Sequence, residues 1–528
     1  MRRSTSHLDR FVLRLAGDHD LARIVAGATV IAAVVLSATL AYAARPGGGS
    51  SFSGGSRSSG GGGSYSSGGG CGGGGGDGGG GALIALCFEY PAIGIPLLII
   101  IVVVTVVSKM RRAQGSEWST STTSTWSPQP AVAPPPRPRA APLRGKLEAL
   151  RRTDPAFSIV VFEDFLYFLY AEMQRARGAG GAEALAAYVA DHARTVLHND
   201  GRLQEVTGII VGSMSYERVE VDPHGGAHVD VVIESNYVER YRSQGEQRFY
   251  VKDRLRLSRA PGARSREPGK AHTLNCPNCG GPLSNMRGTT CTYCKATVPQ
   301  GTKDWAVSGI QTVERELKGP LLTSNVGEQG TNLPTIFDRN AQAVFAQIQA
   351  KDPQGTSWDR LQHRVGLVFQ EFHAGWVGRD PARVRPFVSD NLFQSQLYWI
   401  DLYKSSKCIN RTDGSRITRI ELANATTDAY YDAVTVRLFA TGLDFTISED
   451  GRLLSGSQSI PRSYSEYWTM IRGAQKKHTD KGERQCPNCG APLKINMTGN
   501  CEYCAVKVTS GEYDWVLSRI EQDEVYTG

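Results

Sequence analysis

Two stretches of this chain combine residue types and spacing suited to binding a metal. Residues 276–294 read CPNCGGPLSNMRGTTCTYC and residues 486–504 read CPNCGAPLKINMTGNCEYC; each is C-x2-C-x11-C-x2-C, and the second lies 210 positions after the first. Four thiolates from two such pairs can surround one Zn²⁺ tetrahedrally at ~2.3 Å. The candidate ligands are therefore Cys276, Cys279, Cys291 and Cys294 in the first set, and Cys486, Cys489, Cys501 and Cys504 in the second. Gly280 and Gly490 follow the first pair of each set, where a tight turn often needs positive φ. The intervening residues are enough for a hairpin that returns the second pair to the first. A module of ~40 residues has too little core to fold alone, so metal would supply much of its folding free energy. With all four positions filled by protein, no coordination site is left for catalysis, and two structural Zn²⁺ sites are expected. Paired disulfides, a redox C-x2-C and an iron–sulfur site are the competing readings. A reducing compartment, the duplicated pairs and the spacing each argue against one of them. Eight of the eleven cysteines are accounted for; Cys71, Cys87 and Cys408 have no partner pattern and read as incidental.

The elements that must position these cysteines also recur. Asp304-Trp305 becomes Asp514-Trp515 and Ile310 becomes Ile520, at the same offset of 210. Further upstream, Leu147, Leu150 and Asp154-Pro155 match Phe345, Ile348 and Asp352-Pro353 at an offset of 198, and Tyr188-Val189-Ala190-Asp191 matches Phe387-Val388-Ser389-Asp390 at 199. An internal repeat thus spans most of residues 147–522. The expected order is a large unit (147–260), a cysteine module (272–312), a linker (318–334), a second large unit (336–473) and a second module (482–522).

Each large unit opens with helices. Trp358, Leu361, Val365, Val368, Phe369, Phe372 and Trp376 follow three- and four-residue steps. Asp380 then reads as an N-cap with Pro381 at the first helical position. The first-copy counterpart, FSIVVFEDFLYFLYAEM, is apolar on nearly all faces, yet Glu163 and Asp164 argue against a membrane span. It reads as a deeply packed core helix, with a surface facing a partner or lipid as the alternative. Period-two runs follow in both units: VTGIIVGSMSYERVEV, HVDVVIES and RFYVKDRLRLSR, then ITRIELANATTD, AVTVRLFATGLDFTIS and SIPRSYSEYWTMIR. Helices first and an antiparallel sheet after them is an α+β unit with helices on one sheet face.

The N-terminal part is different. Ile24–Ala43 is twenty residues without a charge, and Ala92–Ser108 is a second apolar run of seventeen; both approach the ~20 needed to cross a bilayer. Arginines precede the first, and Lys109, Arg111 and Arg112 follow the second, so a hairpin with both basic ends in the cytoplasm is expected. Residues 1–44 form a signal anchor or a signal peptide, 82–112 a transmembrane helix and 113–146 a Ser/Thr/Pro-rich tether. In residues 45–81, 21 of 37 are Gly, too few apolar groups to order a loop. The expected location is a membrane, with everything from about residue 109 cytoplasmic.

Enzymatic and nucleic-acid readings are weaker. The histidines His192, His198, His224, His228, His363 and His373 do not recur at equivalent repeat positions, and no phosphate-binding Gly loop is present. Residues 240–270 are basic, but acids interleave and the alternation of Lys252, Arg254 and Arg256 is that of a solvated strand face. Neither a catalytic residue, a small-molecule substrate nor a nucleic-acid partner is expected.

The runs KLEALRRTDPAFSIVVFEDF, VFAQIQAKDP and WVGRDPARVRPFVSDNLFQSQL resemble the domain of mitochondrial inner-membrane translocase subunit 44 and its bacterial relatives. The most specific parts are Trp376, Asp380, Phe387 and Asp390, and the second copy fits better than the first. The resemblance implies a nuclear-transport-factor-2-like α+β fold in each large unit, with a concave sheet forming an apolar pocket. It also implies contact with membrane lipids and an unidentified protein partner, as a scaffold beside a translocation or membrane-assembly complex. The chain departs from the family in carrying two copies and added zinc ribbons.

Overall fold

A computed structural model describes residues 143–179, 181–197, 201–317, 330–475, 482, 484–523 and 525–528. The two expected membrane spans, the Gly-rich loop and the tether before residue 143 lie outside the described residues. Among the described residues, no helix is long and apolar enough to cross a membrane.

The described chain is a mixed helix-and-sheet protein in which one element order occurs twice. In the first half, the helical turns Arg144–Arg152 lead to α1 (Ile159–Ala179) and α2 (Asp191–Leu197). Then come β1 (Leu203–Val221), β2 (Ala227–Tyr241), β3 (Gly245–Arg259), the first cysteine module and β4 (Ala306–Leu317). The second half runs α3 (Ala341–Lys351), α4 (Trp358–Val377), a turn Pro381–Val384 and α5 (Asp390–Ser405). It continues through β5 (Cys408–Arg411), β6 (Arg416–Thr427), β7 (Tyr431–Ser448), β8 (Leu453–Gly473), the second module and β9 (Val516–Gln522). The pairings are antiparallel, in the orders β1-β2-β3-β4 and β9-β8-β7-β5, with β6 also on β7.

Local chemistry starts the helices where the sequence places them. The Ser357 hydroxyl accepts from the Arg360 N–H at 3.1 Å, and Asp380 caps the next turn through the Ala382 N–H at 3.1 Å. Ser158 does the same for α1 through the Val161 N–H. Leu147 and Leu150, like Phe345 and Ile348, are buried against their own sheets, which accounts for their recurrence.

The strands extend the period-two runs, but the first sheet has one strand more than the runs give (β4) and the second has two (β5 and β9). After each cysteine module the chain returns to its own sheet: β4 pairs with β3 and β9 with β8. The sequence-based limits of 272–312 and 482–522 assign these strands to the modules. In the fold each module is an excursion between neighbouring strands, anchored in the sheet at both ends. Two other limits also shift. Arg144, read as tether, is ion-paired to Glu163. Gly330 and Leu333, read as linker, offer their carbonyls to the buried Arg437 guanidinium at 2.8 and 2.7 Å.

Helix α1 has a reason to be apolar all round. One side (Phe162, Phe165, Leu166, Leu169) fills the first core. Val160 and Val161 pack with Tyr431, Ala433, Ile471 and Val516 of the second half. Its Glu163 is buried at the same junction, where Arg144, Tyr216 and Arg519 converge on it. Burial alone would raise this carboxyl; Arg144 and Arg519 outweigh it and hold it down at about 2. Val160 and Val161 thus meet the other half of the same chain.

Candidate metal centres

In each module the four sulfurs converge. Cys276 and Cys294 Sγ are 4.0 Å apart and Cys279 and Cys291 4.0 Å; in the second module Cys486 and Cys504 are 3.8 Å apart and Cys489 and Cys501 4.0 Å. All sulfurs of a set lie within 4.8 Å of one another. A regular tetrahedron with ~2.3 Å metal–sulfur bonds has an edge of about 3.8 Å, whereas a disulfide needs ~2.05 Å. Both sets are thus shaped to hold one metal ion and are not disulfide-bonded. The sequence-predicted ligands are brought together as two complete groups, while Cys408 stands apart, its Sγ near the Ser406 carbonyl.

The turns that make this possible repeat four times. Gly280 and Gly490 have φ of 74° and 78°, and their N–H groups bond back to the Cys276 and Cys486 carbonyls at 2.9 and 2.8 Å. After the second pair, Lys295 and Ala505 take the same left-handed conformation, at φ of 62° and 57°. Sequence reasoning found the glycines but had no signal for these side-chain-bearing positions. A non-glycine residue there costs backbone strain, which the ligand geometry must outweigh.

A second feature lay unread in the repeated CPNC. Asn278 points its amide at Cys294 Sγ (3.6 Å) and Asn488 points its amide at Cys504 Sγ (3.5 Å). With the Ala296 N–H first and Asn278 second, Cys294 falls to about 6; Asn488 and the Val506 N–H bring Cys504 to about 6. Donors aimed at sulfur favour thiolate, the form that ligates metal.

Below each module lies the same clasp. In the first half, buried Arg259 pairs with Asp154 and lies 5.9 Å from the Trp305 ring; in the second, Arg472 pairs with Asp352 at 2.7 Å and lies 4.9 Å from Trp515. Burial pushes the Asp154 carboxyl up, but Arg259 and Ser265 prevail and hold it below its usual range. The aspartate of the repeated Asp-Pro and the tryptophan of the repeated Asp-Trp are thereby explained. The aspartate before the helix fixes the arginine at the end of the third long strand, and the guanidinium carries the tryptophan that re-enters the sheet after the module. Parallel bridges Val189–Val307 and Val388–Leu517 complete the correspondence.

The residues that carried the family resemblance also have structural work. Trp376 donates to Asn410 Oδ1 at 2.7 Å, Asp380 is an N-cap, and Phe387 lies under the Arg364 guanidinium. Asp390 accepts from Lys507 Nζ at 2.6 Å and from Arg385, whose Nε reaches the Met497 carbonyl at 2.9 Å. Arg385 and Lys507, which sequence reasoning did not single out, thus tie the second module to its half. In the first half, Ala186 occupies the place of Arg385. There the Tyr188 hydroxyl donates to the Asn275 carbonyl, and Arg266 joins Tyr188 to Asp304.

Residues 341–482 match the Tim44-like domain family. That stretch runs from α3 to just beyond β8 and stops short of the second metal set. No curated protein matches the chain.

Beside its apolar core, the Tim44-like stretch buries a polar network. His373 meets Thr412 at 2.9 Å, and Asn410 links Trp376 to Asp444. The first half holds Tyr170, Gln174, Asp253 and Thr312 in a comparable network. Two cavities among the described residues lie where the halves meet, at about 460 and 530 Å³. Among the described histidines, His192, His224, His228 and His363 are exposed and apart. The basic stretch 240–270 is largely neutralised: Lys252 pairs with Glu234, Arg254 with Glu217, Arg256 with Asp230 and Arg266 with Asp304.

Proposed function

We propose that this chain is a membrane-tethered binding scaffold of a bacterial inner membrane, whose two helix-and-sheet halves are tandem Tim44-like domains of the nuclear-transport-factor-2-like kind, each clamped by a structural zinc ribbon. The carrying observation is the Tim44-like match in a half whose interior polar groups bond to one another. In this reading residues 109–528 are cytoplasmic, and the basic end of the second apolar run lies against anionic lipid. Zinc is the metal that four cysteinates at this spacing suit best. It closes the modules and offers no open position, so its work is to hold the sheets' final strands in place. The partner is a protein that the scaffold keeps beside a translocation or membrane-assembly complex.

Photocrosslinking from exposed positions of the second half in native membranes, followed by identification of the adduct, tests this reading. Capture of an integral membrane protein complex is expected. Cleavage of the C-terminal region by protease added outside intact spheroplasts, or recovery of the chain in the soluble fraction, would overturn it.

A further inference from the structure

The two cavities at the junction of the halves share Asp164, His272, Asp390, Asn391, Ile471 and Lys507 and form one cleft. One wall is a single stripe of α1: Val160, Asp164, Tyr167, Phe168 and Ala171 recur at helical spacing and all line it. The facing wall comes from α5, with Asn391, Ser395 and Trp399. A volume of about 460 Å³ on the larger-lined side falls within the range of small-molecule sites.

Charge in this cleft is unevenly compensated. Glu163 has Arg144 and Arg519, Asp390 has Arg385 and Lys507, and Arg175 has Glu172. Asp164 has a neutral partner, the Asn391 amide at 2.6 Å from its Oδ1. Burial first, then Glu163 and Asp390, oppose its ionisation; they outweigh the Asn391 amide and Arg519 and push its carboxyl up to about 7. A carboxylate whose hydrogen-bond partner is a neutral amide is costly to ionise in a partly apolar cleft, and a ligand cation relieves that cost. Phe168 and Trp399 supply aromatic surface, which suits an ammonium group and its apolar body. An anionic ligand would find the lining cations already engaged, Arg385 and Lys507 by Asp390, Arg144 and Arg519 by Glu163, and Arg175 by Glu172.

We propose that the cleft between the halves binds an amphipathic organic cation, an ammonium group on a short apolar body, with Asp164 as its counter-ion and Phe168 and Trp399 as its apolar walls. This deepens the binding role proposed above, yet it is tested apart from it. The crosslinked partner and the membrane location do not depend on which small ligand the cleft accepts.

The test uses the full chain in nanodiscs of neutral lipid and titrates hexyltrimethylammonium, hexanol and hexanesulfonate by calorimetry. The cation is expected to bind at least tenfold more tightly than the sulfonate. Asp164→Asn should abolish that preference while leaving hexanol binding and metal content unchanged. Ala171→Trp, which fills the cleft, should abolish binding of all three. Equal affinity for cation and sulfonate in the unmodified chain overturns the proposal, as does cation binding that survives either substitution. A crosslinked partner without cation preference would leave the scaffold reading standing and this one refuted.

Discussion

The first module contributes Cys276, Met286, Cys291 and Val298 to the same buried cluster as α1 and the first sheet, whereas Cys486, Ile495, Cys501 and Val508 form a small core of their own. The second module is tied to its half by charge: Arg385, Asp390 and Lys507 connect α5 to residues 497–509. Identical ligand spacing is thus seated by two physical means, apolar burial in one half and a partly buried set of ion pairs in the other. The comparison teaches that the cysteine motif specifies the metal cage while its surroundings decide how the cage is coupled to the sheet. Apolar coupling is insensitive to salt and pH; ionic coupling is not.

The largest expected effect comes from removing one cage at a time. Apparent metal binding in isolated zinc modules is worth ~10–16 kcal/mol, so loss of a cage unfolds its module. Cys486→Ser with Cys501→Ser should lower bound zinc from ~2 to ~1 per chain and lose amide protection chiefly within residues 484–509. Cys276→Ser with Cys291→Ser should cause the same metal loss but also lower the melting temperature of the first half, because that module shares its core. Equal spread of damage from the two pairs, measured by hydrogen exchange, would erase the contrast.

Next in size is the clasp that both halves share. Replacing either buried arginine leaves a buried carboxylate without its counter-charge, at ~3–5 kcal/mol. Arg472→Met should reach the upper part of that range. Arg259→Met should cost less, because the Ser265 N–H and hydroxyl continue to hold Asp154 at 2.8 and 2.6 Å, whereas Asp352 keeps the longer Gly355 N–H bond of 3.2 Å. Urea unfolding of the two variants measures the difference.

A smaller effect is expected from Arg385→Met, about 2 kcal/mol for loss of a partly buried charged hydrogen-bond set. It should loosen the second module at low ionic strength without altering the first. Adding salt to the unmodified chain should act in the same direction, and amide exchange near Met497 reports both.

The smallest effect belongs to the junction between the halves, and its sign differs for two adjacent acids. Glu163 sits at about 2, below its ordinary 4.5, so its contribution is present above the unfolded value and is lost as pH falls through 4.5 towards 2. Asp164 sits at about 7, above its ordinary 3.8, so its contribution is present below the unfolded value and is lost as pH rises through 7. Asp164→Asn should therefore stabilise the junction above pH 7 by roughly 1 kcal/mol, allowing for solvent in the cleft. Thermal melts of both forms at pH 5 and pH 8 check this.

Much of the fold was legible because its signals are local. Helix α4 was marked by its three- and four-residue steps and by Ser357 and Asp380, whose caps act within one turn. The long strands were marked by alternation. The strands β4 and β9 were missed because each follows a metal module and reads as its tail; pairing partners some fifty residues away cannot be seen in local pattern. Likewise Arg385 and Lys507 look like ordinary surface cations until α5 and the module meet.

The sequence by itself determined the eight metal-ligand candidates, the repeat and the helix and strand periods, because spacing along a chain fixes which side chains can share a turn or a face. Only the tertiary structure decided that Val160 and Val161 of α1 pack against the second half, that the modules hang between sheet strands, and that Asp164 meets the neutral Asn391 amide across the cleft. These depend on through-space distances between segments far apart in the chain. Coulombic and packing energies follow that distance, whatever the separation in sequence.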